Sequence, residues 1–130
     1  MEEQLLKPGE RINQLFSTDI KIIQNREVFS YSVDSVLLSR FPRFPKRGLI
    51  VDFCAGNGAV GLFASSRTQA RIISVEIQER LADMAERSVQ LNGLEEQMQV
   101  ICDDLKNMPA HIQGSKVDMI LCNPPYFKVD

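Results

Sequence analysis

From residue 49 onward the chain alternates short apolar runs with amphipathic stretches. Leu49-Ile50-Val51-Asp52-Phe53 is a nearly continuous apolar run that ends in a glycine-rich turn, which predicts a strand buried on both faces. Gly58 to Ser66 carries Val60, Leu62, Phe63 and Ala64 for a helix, with small residues where that helix must approach the strand. Arg71 to Glu76 predicts a second strand and Gln78 to Asn92 a longer helix. Its apolar positions Leu81, Met84, Ala85, Ser88, Val89 and Leu91 fall near helical spacing, and Asn92-Gly93 is a stop signal. Gln97 to Cys102 and Val117 to Cys122 predict a third and a fourth strand. This order, with short connections, implies an α/β fold: a parallel sheet with flanking helices.

Upstream the pattern is weaker. Asp19 to Ile23 alternates polar and apolar residues, and a turn at Asn25-Arg26 would pair it with Glu27 to Tyr31 as a hairpin. Asp34 or Ser35 can cap a helix through Val36, Leu37, Leu38 and Phe41. Arg40 to Gly48 holds Pro42, Pro45 and four basic residues, and it divides a prelude (residues 1–47) from the main body (residues 48–130).

Composition narrows the classes. With 44% hydrophobic and 25% charged residues in 130, the chain is neither disordered nor fibrous. Its 15 basic residues face 17 acidic ones, so it is not a basic nucleic-acid module as a whole. Leu49 to Ala64, the best candidate for a membrane span, is interrupted by Asp52 and Asn57, and the acidic start Met1-Glu2-Glu3 is unlike a signal peptide. A cytoplasmic location, with no membrane partner, is expected. Cys54, Cys102 and Cys122 are odd in number and lack a Cys-x-x-Cys spacing, which argues against a disulfide framework and a zinc site; no metal is expected.

The turn Asp52-Phe53-Cys54-Ala55-Gly56-Asn57-Gly58-Ala59-Val60-Gly61 sits where open parallel sheets bind ligands. Gly56-x-Gly58-x-x-Gly61 followed by Glu76 fits the dinucleotide fingerprint, and a tight turn with no ligand would also recruit glycines. Charge separates the two ligand readings. Asp52 would repel a pyrophosphate, whereas the ammonium and sulfonium of S-adenosylmethionine (SAM) favour a nearby carboxylate. Glu76 suits the ribose of either cofactor. Asp103 and Asp104 offer an acceptor for an adenine amine, or equally a cap on Leu105-Lys106-Asn107.

Asn123-Pro124-Pro125-Tyr126 directly follows the fourth predicted strand. It resembles the signature of SAM-dependent methyltransferases that modify planar amino or amide nitrogens. The Asp52 to Gly58 turn is similar to their Asp-x-Gly-x-Gly-x-Gly loop, with Cys54 in place of the first glycine. The resemblance implies a Rossmann-like class I methyltransferase fold with cofactor contacts at Asp52, Cys54, Gly56, Gly58, Glu76, Asp103 and Asp104. An adenine amino nitrogen is a poor nucleophile because its lone pair is delocalised. Acceptors at the Asn123 side chain and the Pro124 carbonyl can turn that lone pair toward a methyl group. Pro124 and Pro125 stiffen the turn, and Tyr126 offers a stacking face for a flipped base.

The tetrapeptide is shared by enzymes acting on adenine in DNA, on adenine or guanine in RNA, and on a glutamine amide in release factors. Glu10-Arg11 to Leu15, Ile22 to Asn25 and Phe29 to Leu38 resemble the opening of bacterial tRNA (valine) adenine-N6 methyltransferases, which implies tRNA as partner and S-adenosylhomocysteine as product. An NAD-binding module and a cofactor binder without catalysis are the alternatives. Arg40, Arg43, Lys46 and Arg47 form a basic cluster that can face phosphates or simply be a solvated linker. A fold of this class has about seven strands, so the chain is expected to be the N-terminal part of a longer protein. Alone it is expected to be inactive and prone to self-association through the edge of its fourth strand.

Overall fold

A computed structural model describes residues 2–15, 18–25, 43–112 and 114–122. Six strands are described: β1 (Glu10–Gln14), β2 (Lys21–Asn25), β3 (Leu49–Phe53), β4 (Arg71–Glu76), β5 (Met98–Cys102) and β6 (Met119–Cys122). Three α-helices accompany them: α1 (Ala59–Ser65), α2 (Glu79–Leu91) and the single turn α3 (Met108–His111). β3 to β6 form one parallel sheet in the order β5-β4-β3-β6, while β1 and β2 pair antiparallel as a separate ribbon.

β3 buries both faces, as its unbroken apolar run requires. Ile50 packs with Leu62, Phe63, Val89 and Met98 on one side, and Leu49 and Val51 with Ile73, Val75 and Met108 on the other. The fourth strand is shorter than its apolar pattern. Asp118 takes a ladder position with its side chain: Leu49 N donates to Asp118 Oδ2 at 2.9 Å, while Asp118 N donates to the Leu49 carbonyl at 2.8 Å. β6 has no neighbour on its other side among the described residues, and Ile120 on it is 58% exposed.

Upstream, the described ribbon uses a segment that the hydrophobic pattern did not mark. β2 runs through Asn25, which is buried in the strand, and its partner is β1. β1 reads Glu-Arg-Ile-Asn-Gln, with one apolar residue, so hydrophobic periodicity gives no sign of it. Segment 27–31 and the helix expected through Val36 to Phe41 lie outside the described residues. The ribbon lies against α2, whose side chains complete the backbone pairing of β2. Ser88 Oγ accepts from Ile23 N at 2.9 Å, and Asn92 both accepts from Lys21 N at 2.8 Å and donates to the Lys21 carbonyl at 2.6 Å. Arg87 grips Glu10 with both ends of its guanidinium and donates to the Leu5 carbonyl at 2.6 Å. No described helix is long and apolar enough to cross a membrane.

Candidate functional site

The chain runs from β3 outward through β4 to β5, then returns to the other side of β3 as β6. β3 and β6 therefore flank the point where strand order reverses, and loops leaving their carboxyl ends diverge around a crevice. Phe53 is level with Cys122, so the glycine turn leaves one strand where Asn123 follows the other in the chain. Asn123, Pro124, Pro125 and Tyr126 themselves lie outside the described residues.

The turn is built from left-handed residues. Cys54, Gly56 and Gly58 have φ of 58°, 58° and 92°, and Ala55 N donates to the Val75 carbonyl at 2.9 Å. Cys54 thus adopts a left-handed backbone that ordinarily favours glycine, at a cost of roughly 1 kcal/mol for its side chain. Burial first, then the neighbouring Cys122 thiol, pushes the Cys54 thiol up from its ordinary range. Gly58 has a packing role as well, since a Cβ there would sit 3.1 Å from the Ala85 Cβ on α2. Gly58→Ala is expected to cost about 1–3 kcal/mol, from the strained φ and this contact together. Urea unfolding is the check, and a loss below about 0.5 kcal/mol would mean that the turn rearranges freely.

Glu76 ends β4 and is buried, so it is not a solvated strand-end charge. Its Oε1 accepts from Gly56 N at 2.7 Å and its Oε2 from Gln78 N at 2.9 Å. One carboxylate thereby ties the turn to the start of α2. Lone pairs remain on both oxygens, since an ionised carboxylate has about four acceptor sites.

Asp52 is the anomaly of the site. It is 1% exposed, and neither carboxylate oxygen has a hydrogen-bond partner among the described residues. Ser74 Oγ, level with Asp52 on β4, and Asn57 Oδ1 in the turn are likewise buried and unpartnered. Burial, then the charge of Glu76, pushes the Asp52 carboxyl up to about 8. At neutral pH it therefore holds a proton, which weakens the repulsion of a pyrophosphate expected from sequence. A buried acid without partners is relieved by an approaching cation, which restores the carboxylate. The residues of the turn thus fit a cationic ligand.

Asp103 and Asp104 stand beyond β5, one strand outward from Glu76 and just past its level. Asp103 accepts from Asp104 N and Asn107 Nδ2, each at 2.7 Å, and meets His111 Nε2 at 2.8 Å. These partners, Asn107 first and His111 next, bring its carboxyl down to about 2. Asp104 Oδ1 caps the following turn by accepting from Lys106 N at 3.1 Å. Asp104 thus serves the capping role, while Asp103 holds the same loop through the Asn107 and His111 side chains.

Two residues escaped the pattern. Ile77 and Leu105 are large apolar side chains, 61% and 40% exposed, each directly after an acidic residue of the site. The signal available in sequence was an apolar residue just beyond a strand or at a cap, where no core face calls for one. Among the described residues no group of three or more His, Cys, Asp or Glu is placed to hold a metal ion.

A family model described as methyltransferase small domain matches residues 19–129. The chain is 32% identical over 96 residues to the tRNA1(Val) (adenine(37)-N6)-methyltransferase of Shewanella halifaxensis, covering 74% of this chain and 39% of that protein. It is 30% identical over 94 residues to the enzyme of the same name from Bacteroides fragilis, covering 72% and 40%. The chain therefore spans about two fifths of the length of the curated relatives it matches. Among solved structures, a SAM-dependent methyltransferase from Agrobacterium tumefaciens superposes with a TM-score of 0.68 at 20% identity, covering 92% of this chain and 41% of that one. This likeness gives the fold, that of the Rossmann-like class I methyltransferases.

Proposed function

We propose, because the chain belongs to the methyltransferase small domain family, that it forms the cofactor-binding part of an enzyme methylating the exocyclic amino group of adenine in tRNA. The observation that carries the reading is the buried, unpartnered Asp52 behind a left-handed turn at the strand-order reversal. S-adenosylmethionine, when bound, supplies an electrophilic methyl group on a sulfonium. Asp52 attracts its ammonium through the low-dielectric interior, and Glu76 offers its remaining lone pairs to the ribose hydroxyls. Ile77 and Leu105 give the adenine an apolar wall, with Asp103 and Asp104 nearby for its amine. The substrate's amino hydrogens go to the Asn123 side-chain oxygen and the Pro124 carbonyl, while Tyr126 stacks on the base. No strong base is needed, since the nitrogen is acidic once methylated.

The choice of tRNA is supported by the names of the relatives and by the resemblance of the prelude. Calorimetry with SAM, S-adenosylhomocysteine and NAD is expected to show binding of the first two alone, and binding of NAD alone would sink the proposal. Methyl transfer by the complete gene product is expected to label total tRNA and not a purified release factor. The reverse result would transfer the same chemistry to a glutamine amide.

A further inference from the structure

At the amino ends of β3 and β4, opposite the crevice, two loops are tied together. Gln69 N donates to the Lys46 carbonyl at 3.3 Å, Arg71 N to the Gly48 carbonyl at 2.8 Å, and Thr68 Oγ1 to the Pro45 carbonyl. Gln97 braces the second loop from β5's side, donating from Nε2 to the Thr68 carbonyl at 2.7 Å and the Ala70 carbonyl at 3.1 Å. This joinery brings Arg67, remote in sequence, beside Lys46 and Arg47 around an open depression of about 580 Å³ with no acidic residue among the described residues of its lining.

Lys46, Arg47 and Arg67 are exposed, and none has a carboxylate partner among the described residues. The Arg67 guanidinium carbon lies 5.7 Å from the centre of the Phe63 ring, a cation–π contact that holds its planar fork. The hydroxyl protons of Ser66 and Thr68 are already given to the Phe63 and Pro45 carbonyls, so an anion here is bound by the three cations and the exposed Gln69 amide. Arg71, next along, instead lines a separate hollow with Glu86, Glu95 and Glu96. In a chain of net charge −2, three uncompensated cations at one place make a local field of opposite sign.

We propose that Lys46, Arg47 and Arg67 form a phosphate-backbone contact for the RNA substrate, separate from the catalytic crevice. The five residues of β3 set the two apart by roughly 17 Å, so the phosphates held here belong to nucleotides away from the one being modified. Such contacts position an RNA without reading its sequence. Arginine forks and a lysine point charge suit phosphate oxygens, and the rigid loop pairing keeps them together before binding. The proposal rests on the reading that the substrate is RNA.

The test is equilibrium binding of tRNA to the complete gene product across a salt series. Lys46→Gln/Arg47→Gln/Arg67→Gln is expected to weaken tRNA binding about 10- to 100-fold near 0.1 M salt and to lower the salt slope by about 2. SAM affinity should stay within about 2-fold, and kcat at saturating tRNA should hold while KM rises. Lys46→Gln/Arg47→Gln, which spares the Arg67–Phe63 contact, covers the case that the triple variant is destabilised and should lose about 5- to 30-fold. The control Arg71→Gln/Lys116→Gln should lose less than about 3-fold. If wild-type protein binds tRNA and both cluster variants bind it equally well with the same slope, the contact is refuted and the RNA reading stands. If wild-type protein binds no tRNA at low salt, the RNA reading fails and this contact with it.

Discussion

Asp52→Asn is expected to stabilise the ligand-free protein at alkaline pH and to cripple its hold on the cofactor. The sign follows from the raised carboxyl. In the unfolded chain Asp52 ionises near the ordinary aspartate value of 3.8, and in the folded protein only at about 8. The folded state therefore binds the extra proton between these values, and its stability falls as pH rises through the window. The loss starts near pH 4 and is complete above about pH 8, at an upper bound of about 6 kcal/mol that relaxation and water access around the buried carboxyl reduce to about 2–4. An asparagine cannot ionise, so the variant should show a flatter stability profile, measured by urea unfolding at pH 5, 7 and 9. It should match wild type at pH 5 to within about 1 kcal/mol and exceed it by about 2 kcal/mol or more at pH 9. Function should move the other way. A carboxylate–ammonium attraction at an effective dielectric near 20 is worth about 2–4 kcal/mol, so SAM affinity should fall at least about 30-fold. Calorimetry in buffers of different ionisation enthalpy should detect a proton released as SAM binds to wild-type protein at pH 7, and none from the variant. An unchanged affinity, or stability curves that run parallel from pH 5 to 9, would remove Asp52 from the site.

The sheet was legible because its strands are buried by burial-driven patterns. Leu49–Phe53 and Arg71–Glu76 coincide with the apolar runs, and α2 ends at Leu91 with Asn92-Gly93 as the stop. What sequence could not show depends on side chains replacing backbone. β1 forms from a polar pentapeptide because Glu10 is gripped by Arg87, and the outer backbone of β2 is satisfied by Ser88 and Asn92. Neither arrangement has a hydrophobic period. The same holds at β6, where the Asp118 side chain stands in for a strand residue. At the candidate site, spacing singled out Asp52 and Glu76 as proposals, but not their opposite environments. Glu76 meets two backbone donors, and Asp52, two strand positions away across the β3–β4 pair, meets none among the described residues. That difference arises from which amides the turn aims at which carboxylate, a matter of φ at Cys54, Gly56 and Gly58. Lys46 and Arg67 illustrate the remaining gap, since only the pairing of the loops before β3 and β4 makes them neighbours.

Asn123→Ala in the complete gene product is expected to separate binding from chemistry. The residue follows Cys122, which is level with the last residue of β3, and the glycine turn begins one residue beyond that level. If the Asn123 amide oxygen serves the amino nitrogen that reacts, its work is done as that nitrogen rehybridises and its hydrogens grow more acidic. An acceptor used in this way stabilises the transition state more than the bound substrate, so its loss falls on kcat. Removing one such preorganised group costs about 100- to 1000-fold in kcat. SAM affinity should remain within about 3-fold, because none of the proposed cofactor contacts is touched, and the KM for tRNA should change little. Asn123→Asp preserves an acceptor at the same reach and should recover part of the lost rate, more so above the pH at which its carboxyl ionises. Alanine cannot be rescued by pH, and the two variants together distinguish an acceptor from a residue that merely shapes the turn. A variant with Ala at this position that keeps more than about a third of wild-type kcat would show that the nitrogen is aligned by other groups, the Pro124 carbonyl first among them.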